Sequence, residues 1–176
     1  MKGIILAGGT GSRVYPSTRV VSKQLLPVYD KPTIYYPLST LIKLGIKDVM
    51  IITNGLSYAH LLTLFNQAQK PKPYLGINFT FKVQTSPKGI AEALIIAEEW
   101  QGDEDVCLIL GDNIFTGIGK SPFHWSTGAH VVGYRVSNPC DYGVIETEGT
   151  NGHKTVKSIE EKPMDPKSNI AATGIY

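Results

Sequence analysis

Apolar positions along this chain fall into two rhythms. Short continuous runs recur at Lys2–Ala7, Val49–Ile52 and Val106–Leu110, as expected of strands buried on both faces. Between them the spacing becomes helical. Ile34, Pro37, Leu38, Leu41 and Ile42 mark Thr33–Leu44, with Gly45 as the stop. Leu61, Leu62, Leu64 and Phe65 point inward from a helix over Ser57–Ala68, and Ile90, Ala93, Leu94, Ala97 and Trp100 from one over Gly89–Trp100. Asn78–Val83 alternates as a strand. The order up to Leu110 is β-α-β-α-β-α-β. This predicts an α/β fold: a doubly wound, mostly parallel sheet with helices on both faces. Beyond Asp112 the rhythm changes. Ala129–Val136, Gly143–Glu148 and Thr155–Glu160 read as strands with little helix between them, and the prolines at 70–73 and 163–166 mark loops. The chain stops at Tyr176, straight after Ala171-Ala172-Thr173-Gly174-Ile175. That run begins like a strand, so a truncated chain is expected; on the reading that it is a fragment with no function of its own, an apolar edge near Ile170–Tyr176 would be exposed and promote association.

Composition narrows the function classes. The 176 residues suit one domain, or one domain and part of another. A hydrophobic content of 42% excludes intrinsic disorder. Seventeen basic against fifteen acidic residues leave a net charge of +2, too weak a field to argue for nucleic acid. Cys107 and Cys140 make no disulfide framework, and Cys107 lies inside an apolar strand. No apolar run reaches membrane length, and the N-terminal one is too short for a signal peptide. The expectation is a cytoplasmic protein with neither a membrane nor a nucleic-acid partner.

Four features place chemistry at predicted strand exits. The first strand runs into Gly8-Gly9-Thr10-Gly11-Ser12-Arg13. Glycines let backbone N–H groups approach phosphate oxygens, and an arginine adds a fixed cation. The loop lacks the Gly-Lys-Ser/Thr ending of a Walker A motif, and Val14 stands where a dinucleotide fingerprint needs its third glycine. A plain glycine turn would read the same way. Lys23 follows ten residues after Arg13, where a solvated lysine is the ordinary alternative. Asp112 comes just after the strand ending at Leu110, where a Mg²⁺ ligand for a nucleotide would stand, although Asp112-Asn113 also suits a turn. Glu160-Glu161-Lys162-Pro163 marks another strand exit, which a charged, solvated end would also explain. The four features share one predicted sheet end. The four histidines, 60, 124, 130 and 153, show no metal-ligand spacing.

Longer segments carry a resemblance. Leu6-Ala7-Gly8-Gly9-Thr10-Gly11-Ser12-Arg13, Ser22-Lys23-Gln24-Leu25-Leu26-Pro27-Val28, Lys31-Pro32-Thr33-Ile34-Tyr35-Tyr36-Pro37-Leu38-Ser39, Leu110-Gly111-Asp112-Asn113 and Glu160-Glu161-Lys162-Pro163 resemble the sugar-1-phosphate nucleotidylyltransferases along the whole chain. Lys23-Gln24-Leu25-Leu26-Pro27 favours the thymidylyl branch over the uridylyl branch, which usually has Lys-Glu-Met-Leu-Pro.

The resemblance implies a Rossmann-like nucleotidyltransferase domain over 1–176, with a nucleotide-binding half at 1–113 and an incomplete sugar-binding half at 114–176. It implies Mg²⁺-dependent transfer from dTTP to glucose 1-phosphate, giving dTDP-glucose and pyrophosphate, in a homo-oligomer. UTP is an alternative donor. By the same resemblance, Gly8, Gly9, Gly11 and Ser12 line the triphosphate, Arg13 stabilises the leaving pyrophosphate, and Lys23 and Gln24 belong to the nucleotide site. Gln84 and Gly89 read the base, Leu110 packs near the nucleoside and Asp112 binds Mg²⁺. Gly143 and Glu161 contact the sugar, Lys162 holds its phosphate, and Thr173, Gly174 and Tyr176 close over it. Three departures stand out. The chain covers only the first part of family members, leaving out a second Mg²⁺-binding aspartate, part of the sugar pocket and most subunit contacts. Thr116–Thr127 is short and replaces a usual helix. Thr10 and Ser12 exchange the usual Ser and Thr. Little turnover, or a nucleotide-binding remnant without turnover, is therefore the expectation for these residues alone.

Overall fold

A computed structural model describes residues 1–9, 11–65, 74–86, 88–118, 128–149 and 154–176, with the backbone alone at Arg13 and Tyr74. The expectations for Thr10, for residues 66–68 at the end of the second helix, and for most of Thr116–Thr127 lie outside these residues. The chain divides into two compact units, Met1–His124 and Trp125–Tyr176.

In the first unit, strand β1 (Lys2–Ala7) precedes a hairpin, β2 (Pro27–Val28) with β3 (Lys31–Pro32), and helix α1 (Tyr35–Lys43). Then come β4 (Asp48–Thr53), α2 (Gly55–Phe65), β5 (Asn78–Val83), α3 (Glu92–Gln101) and β6 (Val106–Leu110). Short 3-10 turns at Ser12–Val14 and Lys23–Leu25 lie between β1 and β2. The main sheet has the order β5-β4-β1-β6 and every pair in it is parallel.

Period-two alternation along β1 explains how both faces are covered. A Cβ at Gly3 would stand 2.8 Å from Leu41 Cδ1, so this face of β1 packs on α1. Lys2 points to the other face. Its Nζ donates to Trp100 O at 2.7 Å and Gln101 O at 3.3 Å, placing positive charge on the last carbonyls of α3. Ile4, Ile5, Val49, Met50, Ile51, Ile52, Leu108 and Ile109 are all buried between the two layers. Phe65 of α2 stacks on Phe79 of β5 at 4.8 Å and meets Tyr35 of α1 at 5.4 Å.

Helix ends differ from expectation in local ways. Helix α1 begins at Tyr35 rather than Thr33, because Thr33 donates its N–H and its hydroxyl to Leu26 O and leads out of the hairpin. Helix α2 starts at Gly55, two residues early, because Asn54 Oδ1 accepts the Ser57 N–H at 2.9 Å as an N-cap. Helix α3 starts at Glu92 rather than Gly89, whose φ of +101° is not helical. Its buried line is Ala93 and Ala97, one turn apart, while Ile90 and Leu94, expected inside, are exposed. Leu62 and Leu64 are half-buried beside the fully packed Leu61 and Phe65.

The second unit is one antiparallel sheet of order β7-β10-β8-β9: β7 (Gly133–Arg135), β8 (Gly143–Glu148), β9 (Thr155–Glu161) and β10 (Ile170–Ala172). The strand expected over Ala129–Val136 is reduced to β7. The exposed apolar edge expected near Ile170–Tyr176 is absent: β10 is an inner strand between β7 and β8, and Ala171 and Ile175 are buried. Pairing on both sides removes that edge.

Candidate functional site

Parallel register brings the strand ends of the first unit level. Ala7, Thr53 and Val83 are partners across β1, β4 and β5, and Leu6 is the partner of Leu110 in β6. Gly8, Asn54, Gln84 and Gly111 are therefore each the next residue beyond a strand. From β1 the chain builds outward to β4 and β5, then returns across β1 to add β6 on its other side. The strand order reverses there, and the carboxyl ends beside such a reversal are the usual ligand position in open α/β sheets.

Backbone and side-chain bonds tie these ends together. Gln84 N–H donates to Thr53 O at 2.8 Å, and Gly111 N–H to Leu6 O at 2.9 Å. Thr53 Oγ1 donates to Ala7 O at 3.5 Å, and Asn54 Nδ2 to Gly8 O at 3.4 Å. Two glycines are required by position. A Cβ on Gly8 would lie 2.7 Å from Gln84 Oε1, so the Gln84 amide rests on the loop where only glycine fits. Gly11 has φ +66° and begins the Ser12–Val14 turn, with Thr18 Oγ1 donating to its carbonyl at 2.7 Å. Gly9 is exposed, and its missing side chain leaves room beside Lys23, whose Cε would lie 3.6 Å from a Cβ there.

Lys23 and Asp112, 89 residues apart in sequence, form an ion pair and hydrogen bond, both half-buried. The turn that carries Lys23 is pinned from below. Gln24 is buried, its Oε1 accepts from Ser22 Oγ, and its backbone carbonyl accepts the Ile34 N–H at 2.9 Å. Gln24 also lies under Gly111, where a Cβ would meet its Cγ at 3.1 Å. The structure thus brings together Gly8, Gly9, Lys23, Gln24, Leu110 and Asp112, with Gln84 beside Gly8. Gly11 and Ser12 continue the same loop.

Asp112 offers hard carboxylate oxygens at a strand end, and a metal there would compete with the Lys23 ammonium on Oδ2. This donor chemistry fits a Mg²⁺ that takes most of its ligands from substrate phosphates and water. Among the described residues no group of three or more His, Cys, Asp or Glu could hold a metal.

Gln84 has a partner, Glu92, that the spacing of the sequence does not single out. Glu92 Oε2 accepts from Gln84 Nε2 and from the Lys88 N–H, the latter at 2.8 Å. The Lys88 N–H first, and then the Gln84 amide, hold the Glu92 carboxyl below its usual range. Gly89 follows Lys88 directly. The available signal was an acid in the first turn of a predicted helix that reaches back to an upstream N–H.

The remaining candidate residues lie in the second unit. Gly143 and Glu161 are partners across β8 and β9, and a Cβ at Gly143 would stand 3.2 Å from Glu161 Oε2. Lys162 is exposed and leaves β9 with φ +45°, its N–H donating to Tyr142 O at 2.9 Å. A left-handed non-glycine residue stores strain, which clusters at functional positions. Burial, and then Glu161, push the Tyr176 phenol up. Thr173 is used structurally: both its N–H and its hydroxyl donate to Val132 O, at 2.9 and 2.6 Å. Among the described residues no helix is long and apolar enough to cross a membrane.

Known proteins resemble this chain along its length. A Neisseria meningitidis glucose-1-phosphate thymidylyltransferase is 50% identical over 181 residues, covering all of this chain and 60% of its own length. A Bacillus anthracis structure, described as a glucose-1-phosphate thymidylyltransferase with sucrose, superimposes with a TM-score of 0.86 at 40% identity, over 99% of this chain and 70% of that one. A UDP-glucose pyrophosphorylase from Acinetobacter baumanii shares the fold, with a TM-score of 0.80 at 21% identity over 99% of this chain and 73% of its own. The chain spans about 60% of the length of the curated relatives it matches. Residues 2–176 match the family described as nucleotidyl transferase. The Rossmann-like parallel sheet, the glycine loop and the 50% identity over the whole chain agree: the chain belongs to the nucleotidyl transferase family.

Proposed function

We propose that the chain carries nucleotidyl transfer from dTTP to glucose 1-phosphate, giving dTDP-glucose and pyrophosphate. The observation that carries this reading is the Lys23–Asp112 pair beside the glycine loop, at the reversal of strand order. A sugar-phosphate oxygen attacks the α-phosphorus in line, the bond from that phosphorus to the bridging oxygen breaks, and pyrophosphate leaves. Both reactants are anions, so the chemistry demands charge neutralisation and alignment more than proton transfer.

The chain's own residues supply both. Gly8, Gly9, Gly11 and Ser12 offer backbone N–H groups to the triphosphate, with Arg13 on the leaving pyrophosphate. Lys23 places its ammonium on the phosphates near the reacting centre, and Gln24 keeps its turn in place. Asp112 would hold Mg²⁺, which, when bound, neutralises phosphate charge and fixes its geometry. Gln84 and Gly89 read the imide edge of the base against Leu110. Gly143, Glu161 and Tyr176 are assigned to the sugar, Lys162 to its phosphate, and Thr173 holds the segment carrying Gly174 and Tyr176. Uracil has the same imide edge as thymine, so UTP is the competing donor.

Titration calorimetry with dTTP and Mg²⁺, followed by a pyrophosphate-release assay with glucose 1-phosphate, tests the reading. Saturable dTTP binding is expected, weakened at least tenfold by Asp112→Ala or Lys23→Ala, about the loss for one charge-assisted contact. Pyrophosphate release should require glucose 1-phosphate. Unchanged dTTP affinity in both variants would move the site elsewhere.

A further inference from the structure

Glu92 takes no part in the transfer chemistry proposed above, yet one of its oxygens joins two segments. Oε2 receives the Gln84 side-chain amide and the Lys88 N–H together. An ionised carboxylate has only acceptor sites, whereas a primary amide has a donor end and an acceptor end. Gln84 must therefore turn its NH₂ toward Glu92. Its Oε1 is the end left on the side of Gly8, 2.7 Å from where a Cβ would stand. Gln84 is 6% exposed, so its amide has little water with which to exchange partners.

We infer that Glu92 is a positioning residue for base selection: it fixes the orientation of the Gln84 amide with the carbonyl oxygen toward the base, so that the atom presented to the ring nitrogen is an acceptor. The inference rests on the reading that Gln84 faces the base. An acceptor there selects bases with a ring N3–H, which thymine and uracil have. Cytosine presents a lone pair at N3, and two lone pairs facing each other repel. With Glu92 removed, the amide can turn over and present NH₂ to cytosine. By holding the Lys88 N–H as well, the same carboxylate keeps Gly89, the other residue assigned to the base, in register with Gln84.

The test compares dTTP with dCTP, which share sugar and triphosphate and differ only in the base. Dissociation constants with Mg²⁺ are measured by calorimetry for the unsubstituted chain, Gln84→Ala, Glu92→Ala, Glu92→Gln and Gln84→Ala/Glu92→Ala. Glu92→Ala should narrow the dTTP-over-dCTP preference by about tenfold, the scale of one buried hydrogen bond. Glu92→Gln, isosteric and safe for the helix, should narrow it by less, since an amide can receive Gln84 in either orientation. In the Gln84→Ala background the second substitution should add nothing. A merely structural loss would lower both affinities and leave their ratio intact. An unchanged ratio in either folded Glu92 variant, with the ratio narrowed in Gln84→Ala, overturns the inference and leaves the base-reading role of Gln84 standing. An unchanged ratio in Gln84→Ala, or no dTTP binding by the unsubstituted chain, overturns that role, and the inference with it.

Discussion

The two units bury their sheets by different means. In the first, β1 and β4 are covered on both faces and their interior residues, from Ile4 and Ile5 to Met50, Ile51 and Ile52, have no exposed surface. In the second, β7 is exposed throughout and β9 nearly so, and among the described residues the buried apolar set shrinks to Val144, Ile145, Ala171 and Ile175. With so few buried positions, its strands carry Thr, Lys, Ser and Glu and lean on cross-strand polar contacts. The contrast teaches where rigidity comes from. The strand ends that carry Gly8, Gln84 and Gly111 are anchored in the dense parallel core, whereas Glu161 and Lys162 extend from a thinly covered hairpin.

The sharpest way to break this comparison is to remove a side chain from each sheet. Ile5→Ala empties a position between β4 and β6 and should cost about 2–5 kcal/mol in denaturant unfolding. Ile159→Ala removes a β9 side chain that is 51% exposed and should stay within about 0.5 kcal/mol. Similar losses at the two positions would mean that the sheets share one kind of core.

A smaller effect separates backbone from packing in the site loop. Gly11 and Gly45 both have positive φ, +66° and +84°. Alanine at either must adopt a left-handed backbone, a cost of about 1–2 kcal/mol. At Gly45 nothing lies within 4 Å of the new Cβ, but at Gly11 it would meet Thr18 Cγ2 at 2.8 Å. Gly11→Ala should therefore melt lower than Gly45→Ala, and Thr18→Ser, which removes that methyl but keeps Cβ at 3.1 Å, should narrow the gap in a thermal melt.

The same contrast explains what was legible in the sequence. Buried parallel strands announce themselves as unbroken apolar runs, so β1, β4 and β6 were found nearly to the residue. The step from Leu110 to Asp112 placed an acid at a strand exit by simple counting. Counting could not place Lys23 on Asp112 across 89 residues, because that pairing depends on strand order and on the buried Gln24 beneath the turn. Nor could it rotate α3 correctly: Leu94 looked like core, but the buried line of the helix is Ala93 and Ala97. The cap at Asn54 is readable, since an Asn stands directly before the helix that begins at Gly55. The thinner second sheet gives weaker signals, and the inner place of β10 is not legible because its partners, β7 and β8, lie far away in sequence.

Glu146 offers the smallest and most local test. Its Oε1 accepts from Lys157 Nζ at 2.8 Å, and its Oε2 from Ser158 Oγ at 2.7 Å and Lys167 Nζ at 3.4 Å. The Lys157 ammonium first, and Ser158 after it, hold the carboxyl down to about 2. A carboxyl whose folded pKa lies below its unfolded value adds stability above the unfolded value and loses it as pH falls toward the folded one. The contribution to the β8–β9 hairpin should therefore be complete above about pH 4.5 and fade toward pH 2. Amide exchange of β8 and β9, corrected for intrinsic rates, should show that loss of protection in the unsubstituted chain and a flatter profile in Glu146→Gln. The β1 and β4 amides should not distinguish the two proteins, because Glu146 belongs to the other unit. The lysines are largely exposed, so added salt should shrink the difference. Identical profiles for the two proteins would show that the apolar set around Val144 and Ile145 holds the second sheet without its polar ladder, and the contrast between the units would then be one of degree.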